Sequence, residues 1–146
     1  MFRLLIADDE HETRNVVEMA MKNAFPDIEI FHARDGREID RVLEREEIDI
    51  IILDLMMPYS NAIEVVRKCK TGSKQKKVLI YTGVHDLEVC KQFIKIGADD
   101  FILKPFSLSE ITEVVSRLMN QKDQTKETLD RLRKDLKKLT NGLRED

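Results

Sequence analysis

Short apolar runs alternate with amphipathic stretches along almost the whole chain. The runs at 2–7, 28–31, 49–53, 77–81 and 100–103 are rich in Ile, Leu, Val and Phe. Their length and composition are those of strands. Between them, apolar residues recur at helical spacing: Val16, Ala20 and Ala24, then Val65 with Cys69, then Ile111, Val114, Val115 and Leu118. Five strand signals, each followed by a helix signal, predict a (βα)5 chain of the α/β class with a doubly wound, mainly parallel sheet. The central run Ile50-Ile51-Ile52-Leu53 is apolar throughout, as a strand covered on both faces must be.

The last stretch follows a different rule. Ser107-Leu108-Ser109-Glu110 is a capping box that starts a helix. Beyond it Leu129, Leu132, Leu136, Leu139 and Leu143 follow in 3-4-3-4 spacing, and the register runs back through Lys122 and Thr125 to Leu118 and Val115. Leucine at a and d among charged residues predicts a short coiled coil. One helix over 107–140 is about 50 Å long at 1.5 Å per residue and projects beyond a small domain. A parallel homodimer through this extension is the simplest partner for such a stripe; a tail that folds back is the alternative. No basic stretch precedes the leucines, so a DNA-binding zipper is disfavoured. Asn141-Gly142 is a candidate stop.

Composition sharpens this division. Residues 1–120 carry 17 Lys+Arg against 22 Asp+Glu, and residues 121–146 carry 8 against 6. The chain therefore divides into an acidic domain over 1–120 and a helical extension or linker over 121–146. Its main body has no basic footprint for nucleic acid. No run approaches the roughly 20 apolar residues needed to span a bilayer. The N-terminal apolar run meets Asp8-Asp9-Glu10 too early for a signal peptide. Cys69 and Cys90 make no disulfide framework and are expected as reduced thiols of a cytoplasmic protein.

In a doubly wound sheet the working crevice lies at the carboxyl ends of the strands. There the sequence places Asp8 and Asp9 after the first strand, Asp54 at the third, Thr82 after the fourth and Lys104 after the fifth. Each has an ordinary structural explanation: Asp9 as a helix cap, Thr82 as a turn residue, Lys104 as a solvated cation. Four strand ends supplying this set together favour function. Crowded carboxylates hold a proton or a cation, and oxygen ligands with open positions suit Mg²⁺. Mg²⁺, a lysine and a hydroxyl donor form the electrostatic kit of phosphoryl transfer, with one carboxylate as nucleophile. No glycine-rich phosphate loop follows any strand, which argues against a P-loop or dinucleotide fold. His11, His32 and His85 lack metal-ligand spacing and are expected to be solvated.

Asp8-Asp9-Glu10, Leu53-Asp54-Leu55-Met56-Met57-Pro58, Tyr81-Thr82-Gly83 and Gly97-Ala98-Asp99-Asp100-Phe101-Ile102-Leu103-Lys104-Pro105-Phe106, in this order, resemble a response-regulator receiver domain. The resemblance covers residues 2 to about 120 and implies the flavodoxin-like fold of the chemotaxis regulators. It implies Asp54 as phospho-acceptor, and Asp8, Asp9, Asp54 and the backbone carbonyl of Met56 as the Mg²⁺ site. It further implies Thr82 as switch hydroxyl, Lys104 as phosphate partner, Phe101 as aromatic switch and a cis Lys104–Pro105 peptide. The implied partner is a histidine kinase or phosphotransfer protein. The implied role is a signalling switch that catalyses its own phosphorylation; the apolar Met56 and Val84, which cannot position a hydrolytic water, predict slow autodephosphorylation. The pattern departs from the family at Ala62, where glycine is usual, at Gly83, where alanine is common, and at Phe101, where tyrosine is frequent. Two rivals remain: a coiled-coil module that does not signal, and a Mg²⁺-dependent aspartyl-phosphate phosphatase. The second normally needs an acid two residues after its nucleophile, where Met56 stands.

Overall fold

The computed structural model describes residues 2–120 and 125–144; for 125–127 and 141–144 only the backbone is described. Five strands form one parallel sheet in the order β2-β1-β3-β4-β5: β1 (Arg3–Ala7), β2 (Glu29–Ala33), β3 (Ile50–Leu53), β4 (Lys77–Thr82) and β5 (Asp100–Leu103). Helices α1 (His11–Ala24), α2 (Gly36–Arg45), α3 (Ala62–Cys69), α4 (Leu87–Lys95) and α5 (Leu108–Met119) follow the strands in turn. This is the predicted (βα)5 architecture. Strand alternation sends the two side-chain sets to opposite layers. Leu5, Ile51, Leu53, Val78, Ile80 and Phe101 pack against α2, α3 and α4. Leu4, Ile6, Ile52, Leu79, Tyr81 and Ile102 pack against α1 and α5.

The helix starts are local and chemical. Asp35, Asn61, Asp86 and Ser107 each accept a hydrogen bond from a backbone N–H in the first turn of α2, α3, α4 and α5. The capping box at Ser107 is thus present in its Ser107–Glu110 half, at 3.1 Å. Helix α1 differs from expectation. Its cap residue is Glu10, not Asp9, and no side chain caps it. Its buried face is Val17 and Met21, while Val16 is 47% exposed. Of the Val16–Ala20–Ala24 stripe only Ala20 packs against this layer, while Val16 and Ala24 are exposed, so spacing alone misplaced most of the contact.

The tail departs most. Helix α5 ends at Met119 with Asn120 as its cap residue, and a separate helix α6 (Thr125–Arg144) packs on β5 and α4. The single helix over 107–140 and the projecting coiled coil are therefore not what the chain forms. Leu132 is fully buried in the core layer of α2–α4, with Leu129 and Leu136 packed beside it. The domain itself covers the stripe, because β5 is an edge strand with apolar surface to bury. Leu139 is partly exposed; Lys122 and the side chains of Thr125 and Leu143 lie outside the described residues. Helix α6 also continues through Asn141 and Gly142. Among the described residues no helix is long and apolar enough to cross a membrane. Cys69 and Cys90 are free and buried on α3 and α4, and burial pushes both thiols up to about 11.

Candidate functional site

The ends of β1, β3, β4 and β5 meet at one rim, held in register by the backbone. The Asp8 N–H donates to Ala33 C=O, Asp54 N–H to Ala7 C=O and Lys104 N–H to Thr82 C=O, at 3.0, 3.0 and 2.7 Å. The Lys104–Pro105 peptide is cis. From this frame the Lys104 ammonium reaches both acids: Nζ lies 3.1 Å from Asp8 Oδ2 and 3.3 Å from Asp54 Oδ2. Asp8 and Asp54 are buried, and Lys104 is partly so. Two buried carboxylates sharing one cation make a strongly charged site, where an added ion interacts more strongly than it would in water.

The two acids differ in their remaining partners. Asp8 Oδ2 accepts the Tyr81 hydroxyl at 2.6 Å, and Oδ1 accepts the Glu10 N–H at 2.9 Å. Burial alone would raise the Asp8 carboxyl; those donors and Lys104 outweigh it and hold it below the usual range. Among the described residues Asp54 accepts the Met56 N–H, at 3.1 Å, and Lys104 alone. Burial therefore wins there and pushes its carboxyl up, Asp8 adding to the effect. Burial opposes the Lys104 charge, but the charges of Asp54 and Asp8 prevail and raise its pKa.

These opposite shifts give opposite pH slopes. Asp8 contributes stability above its unfolded value near pH 4, lost as pH falls through its lower folded value. Asp54 carries a penalty when ionised, which disappears as pH falls through its raised folded value. On acidification the urea midpoint is expected first to rise and then to fall. Asp54→Asn should remove the rise and Asp8→Asn the fall; unchanged profiles in both variants would refute the assignment.

Among the described residues Asp8, Asp9 and Glu10 each bring a carboxylate oxygen within 4.8 Å of the others. Hard oxygen donors at a strand end fit Mg²⁺. Asp54 lies beside this trio and shares the Lys104 ammonium with Asp8, and its carboxylate accepts the Met56 N–H. Asp9 is exposed and both Asp8 oxygens are engaged, so Asp9 is the more open ligand of the pair.

Thr82 is fully buried, its hydroxyl oxygen accepting the Val84 N–H at 3.2 Å. Phe101 is also fully buried, opposite Ile80 in the β4–β5 register and so diagonal to Thr82 on the same sheet face. His32 is not simply solvated: Arg14 donates to its Nδ1 at 3.2 Å and it donates to Glu18. The same arginine donates to Asp8 C=O at 2.6 Å, bracing the loop after β1. His85 donates to Lys104 C=O at 2.7 Å.

Sequence reasoning missed three participants. Tyr81 points to the opposite layer from Thr82, yet its hydroxyl reaches Asp8, and only the register of β4 beside the rim reveals it. Gly36 sits where a Cβ would stand 1.7 Å from Tyr59 O, because the 58–61 loop crosses the start of α2. Arg131 of α6 donates to Asp100 and to Phe101 C=O, with Glu110 at 3.5 Å and Asp135 at 3.7 Å. The sequence offered one signal, an acid at Asp100 heading the apolar run 100–103, and only its burial in the fold turns that into a need for a cation.

A family model described as "Response regulator receiver domain" matches residues 4–116. Protein CcdB of Bacillus subtilis (strain 168) is 30% identical over 119 residues, covering 82% of this chain and 98% of its own length. The regulatory protein VanR of Enterococcus faecium is 34% identical over 122 residues, covering 82% of this chain and 51% of its own. The chain thus spans about half the length of several curated relatives it matches. Among solved structures, the receiver domain of the Francisella response regulator 1452 superposes with a TM-score of 0.74 at 26% identity. That match covers 83% of this chain and 98% of the other.

Proposed function

Since the chain belongs to the response regulator receiver domain family, we propose that it is a phosphoacceptor switch of a two-component system. It takes a phosphoryl group on Asp54 from a histidine kinase or phosphotransfer protein. The observation that carries this reading is the Lys104 ammonium shared by Asp8 and Asp54 at 3.1 and 3.3 Å. It holds a counter-charge at the oxygen where phosphoryl charge would accumulate. A carboxylate oxygen of Asp54 forms the bond to phosphorus while the bond from phosphorus to the donor nitrogen breaks, its electron pair leaving with the imidazole. Mg²⁺ bound by Asp8, Asp9, Asp54 and the Met56 carbonyl would supply the remaining neutralisation of the phosphoryl oxygens. The role is that of a switch rather than a metabolic enzyme.

Thr82 couples the chemistry to the fold. Its hydroxyl now accepts from Val84, and turning toward a phosphoryl oxygen gives it a charged acceptor, worth about 1.5–3 kcal/mol. That shifts a two-state equilibrium roughly ten- to a hundredfold. The donor would approach beside Lys104 and Pro105, where the exposed apolar residues Val16 and Leu108 border a groove. Intact-mass measurement after incubation with acetyl phosphate and Mg²⁺ tests the reading: one phosphoryl group on wild type supports it, and none refutes it. Met56, whose N–H meets Asp54, and Val84, whose N–H meets Thr82, carry apolar side chains that cannot orient a water for hydrolysis. The phosphorylated form is therefore expected to last minutes or longer; decay within seconds, followed by intact mass, would contradict this.

A homodimer through the leucine stripe would require α6 to leave β5, since one protomer already buries Leu132.

A further inference from the structure

Arg14 of α1 ties together the ends of two neighbouring strands. Its Nη1 donates to the Asp8 carbonyl after β1, at 2.6 Å, and its Nε donates to His32 Nδ1 on β2, at 3.2 Å. The first bond falls on the peptide between Asp8 and Asp9, the two acids at the proposed Mg²⁺ site. A peptide is planar, so fixing the Asp8 carbonyl also fixes the plane from which Asp9 departs. Asp9 is exposed, and among the described residues its carboxylate has no hydrogen bond or ion pair of its own. The direction of that ligand therefore depends on the backbone that Arg14 holds.

His32 can serve Arg14 in only one form. A guanidinium offers donors and no acceptor, so Nδ1 must accept and carries no proton. Nε2 then carries the proton and donates it to Glu18, whose carboxyl His32 and Lys22 hold below the usual range. Lys22 lies 2.9 Å from Glu18 and closes the series. Helix α1 supplies all the charged groups that face this ring: Arg14, Glu18 and, beyond Glu18, Lys22. On β1 the residue beside His32 is Ile6, α2 packs on the opposite layer with Phe31 and Ala33, and β2 is the edge of the sheet. Imidazole is the side chain that gains its charge between about pH 8 and 5. A proton added to His32 has only Nδ1 to occupy. It turns that acceptor into a donor and sets an imidazolium against the guanidinium.

From this geometry, and resting on the Mg²⁺ site of the phosphoacceptor reading, we infer that Arg14 is a positioning residue for the Asp8 and Asp9 metal ligands and that His32 makes its hold depend on a proton. With His32 neutral, the guanidinium is tied at both ends and the Asp8–Asp9 peptide is fixed. With His32 protonated, Arg14 leaves, the loop loosens and Mg²⁺ binding weakens. Uptake of a phosphoryl group then falls in mildly acidic surroundings without any change at Asp54. The charge of Arg14 by itself acts in the opposite sense, since a cation near the acids repels Mg²⁺ and its removal would tighten binding. The two effects have opposite signs, which makes the role of Arg14 measurable.

The test uses the full chain with Mg²⁺ alone as probe, followed by the amide resonances of residues 8–10 and 54–56. In mildly alkaline buffer Arg14→Lys, which keeps the charge but not the two-armed fork, and Arg14→Gln should each bind Mg²⁺ about tenfold more weakly than wild type. Unchanged affinity in Arg14→Lys with tighter binding in Arg14→Gln would reduce Arg14 to a bystander charge and overturn the inference. His32→Asn offers Arg14 an amide oxygen and cannot be protonated, so its affinity in the same buffer should match that of wild type. Between about pH 8 and 5.5 wild type should lose about fivefold more affinity than His32→Asn, a difference from which the titration of the ligand carboxylates cancels. Parallel pH profiles in the two proteins would overturn the proton dependence. Urea midpoints measured without Mg²⁺ separate aim from damage: weaker binding in variants of wild-type midpoint supports the positioning role, and weakening that only follows a lowered midpoint overturns it. If Mg²⁺ moves none of these amides in wild type, the metal site of the phosphoacceptor reading falls and this inference with it. Mg²⁺ bound with wild-type affinity in every variant overturns the inference alone.

Discussion

Asp54→Asn is expected to abolish phosphoryl uptake, a loss of at least about a thousandfold in the rate with acetyl phosphate, because it removes the nucleophile itself. The amide keeps the shape of the side chain, so the fold should survive. It should even gain stability at neutral pH, since burial already disfavours the ionised Asp54 carboxyl. A single sample thus separates two explanations of lost activity: unchanged or higher thermal midpoint with no added mass points to chemistry, and a lowered midpoint points to damage. Residual incorporation near the wild-type rate would move the acceptor to another side chain and remove the basis for the proposed switch.

Gly36→Ala should be the most damaging single-atom-group change outside the central strands. The new Cβ would lie 1.7 Å from the Tyr59 carbonyl oxygen and 2.8 Å from Ser60 Cα, both backbone atoms. The loop has little freedom to yield. Tyr59 already has a positive φ of 51°, its ring lies 3.9 Å under the Arg37 guanidinium, and Pro58 C=O accepts the Gly36 N–H at 3.0 Å. Displacing it costs about 3 kcal/mol, a large share of a domain's net stability. The urea midpoint reports the loss, and amide shifts at 58–61 report where it falls. An unchanged midpoint would show that this loop moves freely past α2. Because the loop follows Asp54 and Met56, the variant should also weaken phosphorylation, though less than Asp54→Asn.

The contrast between strands and helices explains how far the sequence could be read. The runs predicted at 49–53, 77–81 and 100–103 coincide with β3, β4 and β5 to within a residue, whereas the one at 28–31 became Glu29–Ala33. Buried parallel strands announce themselves because both faces must be apolar. The edge strand β2 is only partly buried, so its composition carries less signal. Strand ends then placed Asp8, Asp54, Thr82 and Lys104 at one rim without coordinates, since a parallel sheet brings its carboxyl ends together.

What could not be read depended on which surfaces meet. The leucine spacing of 129–136 correctly marked an apolar face on a helix, but it suits a second chain and a sheet edge equally well. Only the buried Asp100 and the open edge of β5 decide in favour of the domain, and both are far from α6 in sequence. The Tyr81 hydroxyl on Asp8 and the Gly36–Tyr59 approach have the same origin. Periodicity and motif order, which are local properties of the chain, determined the elements, the sheet and the acids at its rim. The partners of those acids and the face covered by α6 were decided by packing between distant segments, where a few kcal/mol of burial and charge pairing choose among arrangements that the local pattern allows equally.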